Sequence, residues 1–239
     1  MPVVSGSRRQ KAARERAARE KARRDRMASA ARQYAGLGWS CFPGAHPPVV
    51  GGLAGGDPAS SDLVGNGRAC SCDRIGCPDP GAHPVSAAWA HQASVDGGAI
   101  ERWWSERPDA NVILPTGRVF DVFDVPAAAG ALALARITSG GLPAGPVASF
   151  GGDRHLFFVA TRGAPVDEDE WWSCHLDTLP EDVADTPGMR WHCRDSYVVA
   201  PPSVLPYGRE VSWLRPPSGD PLPDPLRLLE VLSDACEDA

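Results

Sequence analysis

Three cysteines and a histidine crowd one stretch of the chain, Cys70-x-Cys72-x4-Cys77-x5-His83, with Pro78, Pro80 and Gly81 as turns between them. Thiolate and imidazole are ligands that zinc takes, and four of them complete a closed tetrahedral site. The alternative is three free thiols on a loop, since Cys-x-Cys is less diagnostic than paired Cys-x2-Cys knuckles. A structural Zn2+ here would fold a loop that has few apolar residues of its own. Cys41, Cys174, Cys193 and Cys236 stand alone and read as small buried side chains. A second constellation is Gly151-Gly152-x-x-His155. Paired glycines let backbone amides approach phosphates closely, and the imidazole can then touch a nucleoside triphosphate; the alternative is a core histidine. A third is the pair Asp121 and Asp124 inside the apolar run Val119–Val125.

The elements that must position these groups follow from pattern. Residues 8–35 read as one helix, rich in Ala, Arg, Glu and Lys and stopped by Gly36 and Gly38. It gains apolar residues only from Met27 onward, so that end should dock. Trp39–Phe42 is a short strand, followed by a Gly/Pro-rich loop from Pro43 to about Gly67 that is either functional or disordered. Residues 99–107 read as a helix carrying Trp103 and Trp104. Residues 111–114 and 119–125 read as adjacent buried strands. A helix over 127–137, strands at 147–150, 155–160, 189–192 and 196–200, and a capped helix over 224–235 complete the pattern. Strand pairs with separate helices indicate an α+β fold.

Net charge is −6, but eleven basic and three acidic residues fall between positions 8 and 32, leaving thirteen basic and twenty-seven acidic elsewhere. This is a basic arm on an acidic body. The arm either tracks nucleic-acid phosphates or is a solvated helix with internal pairs such as Glu15–Arg19. Trp103-Trp104 and Trp171-Trp172 either stack bases or pack in the core, and the acidic run over 167–185 reads as solvated surface. No run approaches about 18 apolar residues, and the basic N-terminus has no apolar stretch behind it. Membrane partners are therefore not expected, and a cytoplasmic location is.

Seven segments also fall in a telling order. They are Tyr34-Ala-x-Leu-Gly-Trp39-x-x-Phe42-Pro43, Cys77 through Gly81-x-His83-Pro84, and Ile100-x-x-Trp103-Trp104-x-x-x-Pro108-x-Ala110-Asn111. Thr116-Gly117, Asp121–Val125, Gly151-Gly152-x-x-His155-Leu-x-Phe158 and Tyr197-Val-Val-Ala-Pro201-Pro202-Ser203 follow. Together, from about residue 30 to 215, they resemble the primase/polymerase domain of bifunctional replication proteins in the archaeo-eukaryotic primase superfamily. The resemblance implies a two-lobed α+β domain, one lobe like an RNA-recognition motif, with the active site in the cleft; the zinc loop read from the cysteine spacing falls at about 66–84. The domain is accordingly read at 28–215, with the basic arm at 1–27 and a C-terminal helix or tail at 216–239 outside the resemblance. The resemblance also implies nucleotidyl transfer in replication of plasmid, phage or integrated elements, with Mg2+ or Mn2+ held by an Asp-x-Asp pair and a third acid. Nucleotide-binding roles fall on Gly151, Gly152 and His155, and catalytic ones on Asp124, Asp121 and Asp153. Single-stranded DNA is an expected partner of the arm. With no Gly-x4-Gly-Lys-Ser/Thr loop in these residues, a separate helicase or replication protein is expected to supply a motor.

The chain departs from that pattern at one point. Asp124 matches the first acid of the pair, but the second position is Pro126. Residues i and i+2 of a strand share a face, so Asp124 and position 126 look into one cleft while Asp121 looks the other way. His192 and Asp195 offer no clean third acid, and Asp153, two before His155, is expected to share its face. The alternative function is thus a catalytically inactive nucleotide- or DNA-binding module serving a partner.

Overall fold

Among its described side chains, helix α1 (Val4–Gly36) buries only those of its C-terminal half. Met27, Ala30, Ala31 and Tyr34 recur at the spacing of one helical face, and all four are buried. Residues 10–19 carry no such face and are exposed. On this solvated part Lys11 pairs with Glu15, in place of the expected Glu15–Arg19 pair, and Lys21 pairs with Asp25. Asp109 fixes the helix where docking begins. It accepts Nε and Nη2 of Arg24, each at 3.0 Å, and also pairs with Arg23.

The computed structural model describes residues 4–48, 70–72, 74, 76–161 and 188–239. Residues 49–67 of the long loop, Trp171-Trp172, Cys174 and the acidic run over 167–185 lie outside them. After α1 come β1 (Phe42–Gly44), α2 (Trp89–Gln92), α3 (Gly97–Glu106), β2 (Asn111–Pro115), β3 (Phe120–Pro126) and α4 (Ala127–Ser139). Then follow β4 (Val147–Phe150), β5 (Arg154–Ala160), β6 (Arg190–His192), β7 (Tyr197–Ala200), β8 (Val211–Arg215) and α5 (Pro225–Glu237). The fold is mixed α and β. The described strands form two antiparallel sheets, one ordered β1-β2-β7 and the other β6-β3-β5-β4-β8.

β2 and β3 are both buried strands, as their composition indicates, but they are not neighbours: they belong to different sheets. The reason lies at Gly117, which has φ +76, and where a Cβ would lie 2.3 Å from the Arg194 Cα. A glycine there lets the chain leave one sheet, pass tightly against residues 193–194 and enter the other.

Strand alternation then divides the core. Phe120 and Val122 join Trp39, Phe158 and the docked end of α1, and Trp39 stacks on Phe158 with centroids 5.4 Å apart. Phe123 and Val125 point the other way, to Ala129, Ala133 and Ile137 of α4 and to Leu228, Leu229 and Leu232 of α5. The last helix, begun by an Asp224 cap that accepts from Leu226 N at 2.8 Å, is therefore part of the core. Trp104 is buried and donates to Ala110 O at 3.1 Å, while Trp103 packs edge-on to Phe42. Both indoles serve packing, the commoner of the two readings.

Candidate functional site

The face of β3 that carries Phe120 and Val122 also carries Asp124. The register sets Asp124 between Leu156 on β5 and Arg190 on β6, with Val122 opposite His192 and Pro126 opposite Arg154. Two guanidinium groups and an imidazole surround the buried carboxylate. Arg154 Nε lies 2.5 Å from Asp124 Oδ1, while His192 Nε2 and Arg190 Nη1 lie 3.5 and 3.9 Å from Oδ2. Arg154 Nη2 is held as well, donating to Asp124 O at 2.9 Å and Gly188 O at 2.5 Å.

The other acids named from sequence are not brought to this carboxylate. Asp153 lies in the turn between β4 and β5, not on a strand, and its exposed carboxylate pairs with Arg209. Asp195 is exposed and pairs with Arg194 at 3.6 Å. Asp121 lies on the opposite face of β3, as alternation requires. Among the described residues, one carboxylate beside two guanidinium groups and an imidazole does not fit a site for two magnesium or manganese ions, which needs several oxygen donors.

His155 follows Arg154 and therefore faces away from Asp124, paired in register with Val125. Its ring rests on α4, where a Cβ at Gly130 would lie 2.5 Å from Nδ1, and only a glycine leaves room. That nitrogen is enclosed, without a hydrogen-bond partner among the described residues, and burial lowers the imidazole pKa. Gly151 and Gly152 adopt φ of +63 and +86 in the exposed turn before β5. Arg209 lies over this turn, and its Nε donates to Gly151 O at 3.0 Å.

Asp121 is only 4% exposed, and Oδ1 has no hydrogen-bond partner among the described residues. Burial pushes its pKa from 3.8 up to about 6, against hydrogen bonds from the Gly117 backbone, Thr161 and Trp191. The folded state therefore binds this proton more tightly than the unfolded chain. Its stabilising share is complete below about 3.8 and is lost as pH rises through about 6. Asp121→Asn is expected to stabilise the protein by about 1–2 kcal/mol at pH 7 and by little at pH 4, as read by urea unfolding at both.

At the far end of the β1-β2-β7 sheet, the sulfur atoms of Cys70, Cys72 and Cys77 and a nitrogen of His83 lie within 4.8 Å of one another. A tetrahedron with bonds of about 2.3 Å has edges of about 3.8 Å, so this donor set fits zinc. His83 Nδ1 donates to Pro84 O at 2.8 Å, which leaves Nε2 facing Cys70 and Cys77, each at 3.4 Å. Gly81 N donates to Cys70 Sγ at 3.3 Å. Although burial opposes it, hydrogen bonds from the Arg74 backbone and its neighbours bring Cys72 down to about 7; burial and the adjoining thiols push Cys77 up to about 11. A metal would resolve this crowding of thiolates, and its contribution would be to folding.

A groove of about 950 Å³ runs beside this cluster, lined by His46, Arg74, Trp89, Arg107, Asp109 and Tyr197 among others. Its position does not coincide with Asp124. We assign the candidate chemistry to the sheet face, where the buried charge is, and not to the larger hollow.

Sequence reasoning named Asp124 but missed Arg154, Arg190 and Arg209. The signal for Arg154 was present: it precedes His155 by one residue, so whichever face the histidine takes, the arginine takes the other. The family described as bifunctional DNA primase/polymerase, N-terminal, matches residues 31–226. No curated protein matched the chain.

Proposed function

Because the chain belongs to the bifunctional DNA primase/polymerase family, N-terminal domain, and thus to a primase/polymerase-like functional class, we propose that it serves replication as a nucleotide- and DNA-binding domain with little or no transfer chemistry of its own. One observation carries this reading. Asp124 is the single carboxylate on its stretch of sheet face among the described residues, with Pro126 where the paired acid would stand. One acid cannot hold two divalent ions against both the attacking and the leaving oxygen.

The nucleotide is assigned to the Gly151–Gly152 turn, where the Arg209 guanidinium would exchange its Asp153 carboxylate for a phosphate. Single-stranded DNA is assigned to the exposed basic half of α1. Replication of a plasmid, phage or integrated element, with a separate helicase as the motor, is the setting that suits such a domain. Among the described residues no helix is long and apolar enough to cross a membrane.

The deciding experiment offers primed and unprimed single-stranded DNA, labelled ribo- and deoxyribonucleotides, and Mg2+ or Mn2+ to the wild type and to Asp124→Ala. Incorporation at background in both, with nucleotide and DNA still bound in anisotropy measurements, is expected. Robust incorporation by the wild type that vanishes in Asp124→Ala would establish an active polymerase and end this reading.

A further inference from the structure

We infer that Arg154 is the resident counter-ion of Asp124, its guanidinium standing where a carboxylate-held divalent ion would work, so that this site takes no Mg2+ or Mn2+. The inference rests on the reading above and gives it a physical cause beyond a missing acid.

The geometry is that of a fixed ion pair. The two side chains are 7% and 19% exposed, for Asp124 and Arg154 respectively, so water screens them little. Arg154 is held at three points, by Asp124 Oδ1, Asp124 O and Gly188 O, and two of these are backbone carbonyls that no metal would compete for. A flexible arginine that merely drifted onto an available acid would not be anchored in this way. The opposite oxygen of Asp124 is approached by the His192 imidazole and by Arg190 Nη1, so an incoming cation meets a guanidinium at either oxygen.

The register explains why the arrangement is consistent with proline at 126. Arg154 pairs directly with Pro126 across the β3–β5 ladder. The apolar ring leaves the guanidinium with one acid to neutralise, namely Asp124. An aspartate at 126 would stand beside the same guanidinium and give a second set of oxygens. Restoring a metal site therefore requires two changes, an acid at 126 and removal of the charge at 154.

The test is Mn2+ binding, followed by the electron-spin resonance of free Mn2+ with no nucleotide present, in zinc-loaded protein dialysed free of other divalent ions. Wild type and Asp124→Asn are expected to titrate alike, without a specific site. The variant combining Pro126→Asp with Arg154→Gln is expected to bind Mn2+ at least tenfold more tightly, and to lose that gain when Asp124→Asn is added. Micromolar Mn2+ binding by the wild type that Asp124→Asn removes would overturn the inference, as would a folded combined variant no tighter than the wild type. Should circular dichroism show the combined variant unfolded, the pair of wild type and Asp124→Asn decides alone. Incorporation of nucleotide by the wild type would defeat the functional reading, whereas this titration tests Arg154 without any turnover.

Discussion

Removing the Asp124 carboxylate is expected to weaken the fold. Asp124→Ala should melt several degrees below the wild type in metal-free buffer, corresponding to about 3 kcal/mol, because loss of one partner leaves a buried charge without compensation. For a chain of this size each kcal/mol moves the melting temperature by roughly 2–4 °C. The orphaned group is Arg154, which would keep its two carbonyl acceptors but lose its counter-charge. A carboxylate held ready for metal behaves oppositely. Crowded active-site acids strain the apo fold, and their removal leaves stability unchanged or raises it. A double-mutant cycle with Arg154→Leu isolates the pair, and coupling well above 1 kcal/mol is expected for contacts this buried. A melting temperature that rises in Asp124→Ala would show the acid to be free of Arg154.

The second large effect is expected at the Cys3His cluster. The wild type is expected to purify with one equivalent of zinc and Cys77→Ser without it, and the variant's unfolding temperature should fall by roughly 5–10 °C. The loss reaches beyond the loop because the loop is stitched into the first sheet. Ala45 N donates to His83 O at 2.7 Å, Val85 N to Pro43 O, and Ser71 N to His46 O. Asn111, fully buried at the start of β2, donates through Nδ2 to both Gly81 O and Val204 O at 2.8 Å. Freeing residues 70–84 leaves Asn111 with an unpaired donor, a cost of about 1–3 kcal/mol by itself. It also strips Ala82 from the cluster of Phe42, Ile113 and Val199. The second sheet, with α4 and α5, has its own apolar cluster and should persist. Wild type that contains no zinc by elemental analysis and melts with Cys77→Ser would refute the metal centre.

Local elements were readable because their causes are local. The helix ended by Gly36 and Gly38, the Asp224 cap and the β-branched and aromatic runs of β2, β3 and β5 need only neighbours within a turn or a pleat. The same holds for the Cys3His cluster, since the spacing confines all four residues to one loop. Harder to read were β8 and α2, the first half exposed along Val-Ser-Trp-Leu-Arg and the second only four residues long. The placement of β2 against β3 misled because Pro115-Thr116-Gly117 resembles a turn within one sheet. Gly117 instead carries the chain from one sheet to another.

Alternation along β3 by itself determined that Asp121 and Asp124 look opposite ways and that position 126 shares the face of Asp124. What it could not supply was the strand that lies alongside, because ladder hydrogen bonds join any two extended backbones and are blind to side chains. Only the tertiary structure set β5 there in a register that brings Arg154, thirty residues away, onto Asp124 and sends His155 behind the sheet to Gly130. The residue types were thus fixed by sequence, while the charge balance of the site was decided by packing. A buried carboxylate takes the nearest cation the fold provides, and here the fold provides a guanidinium.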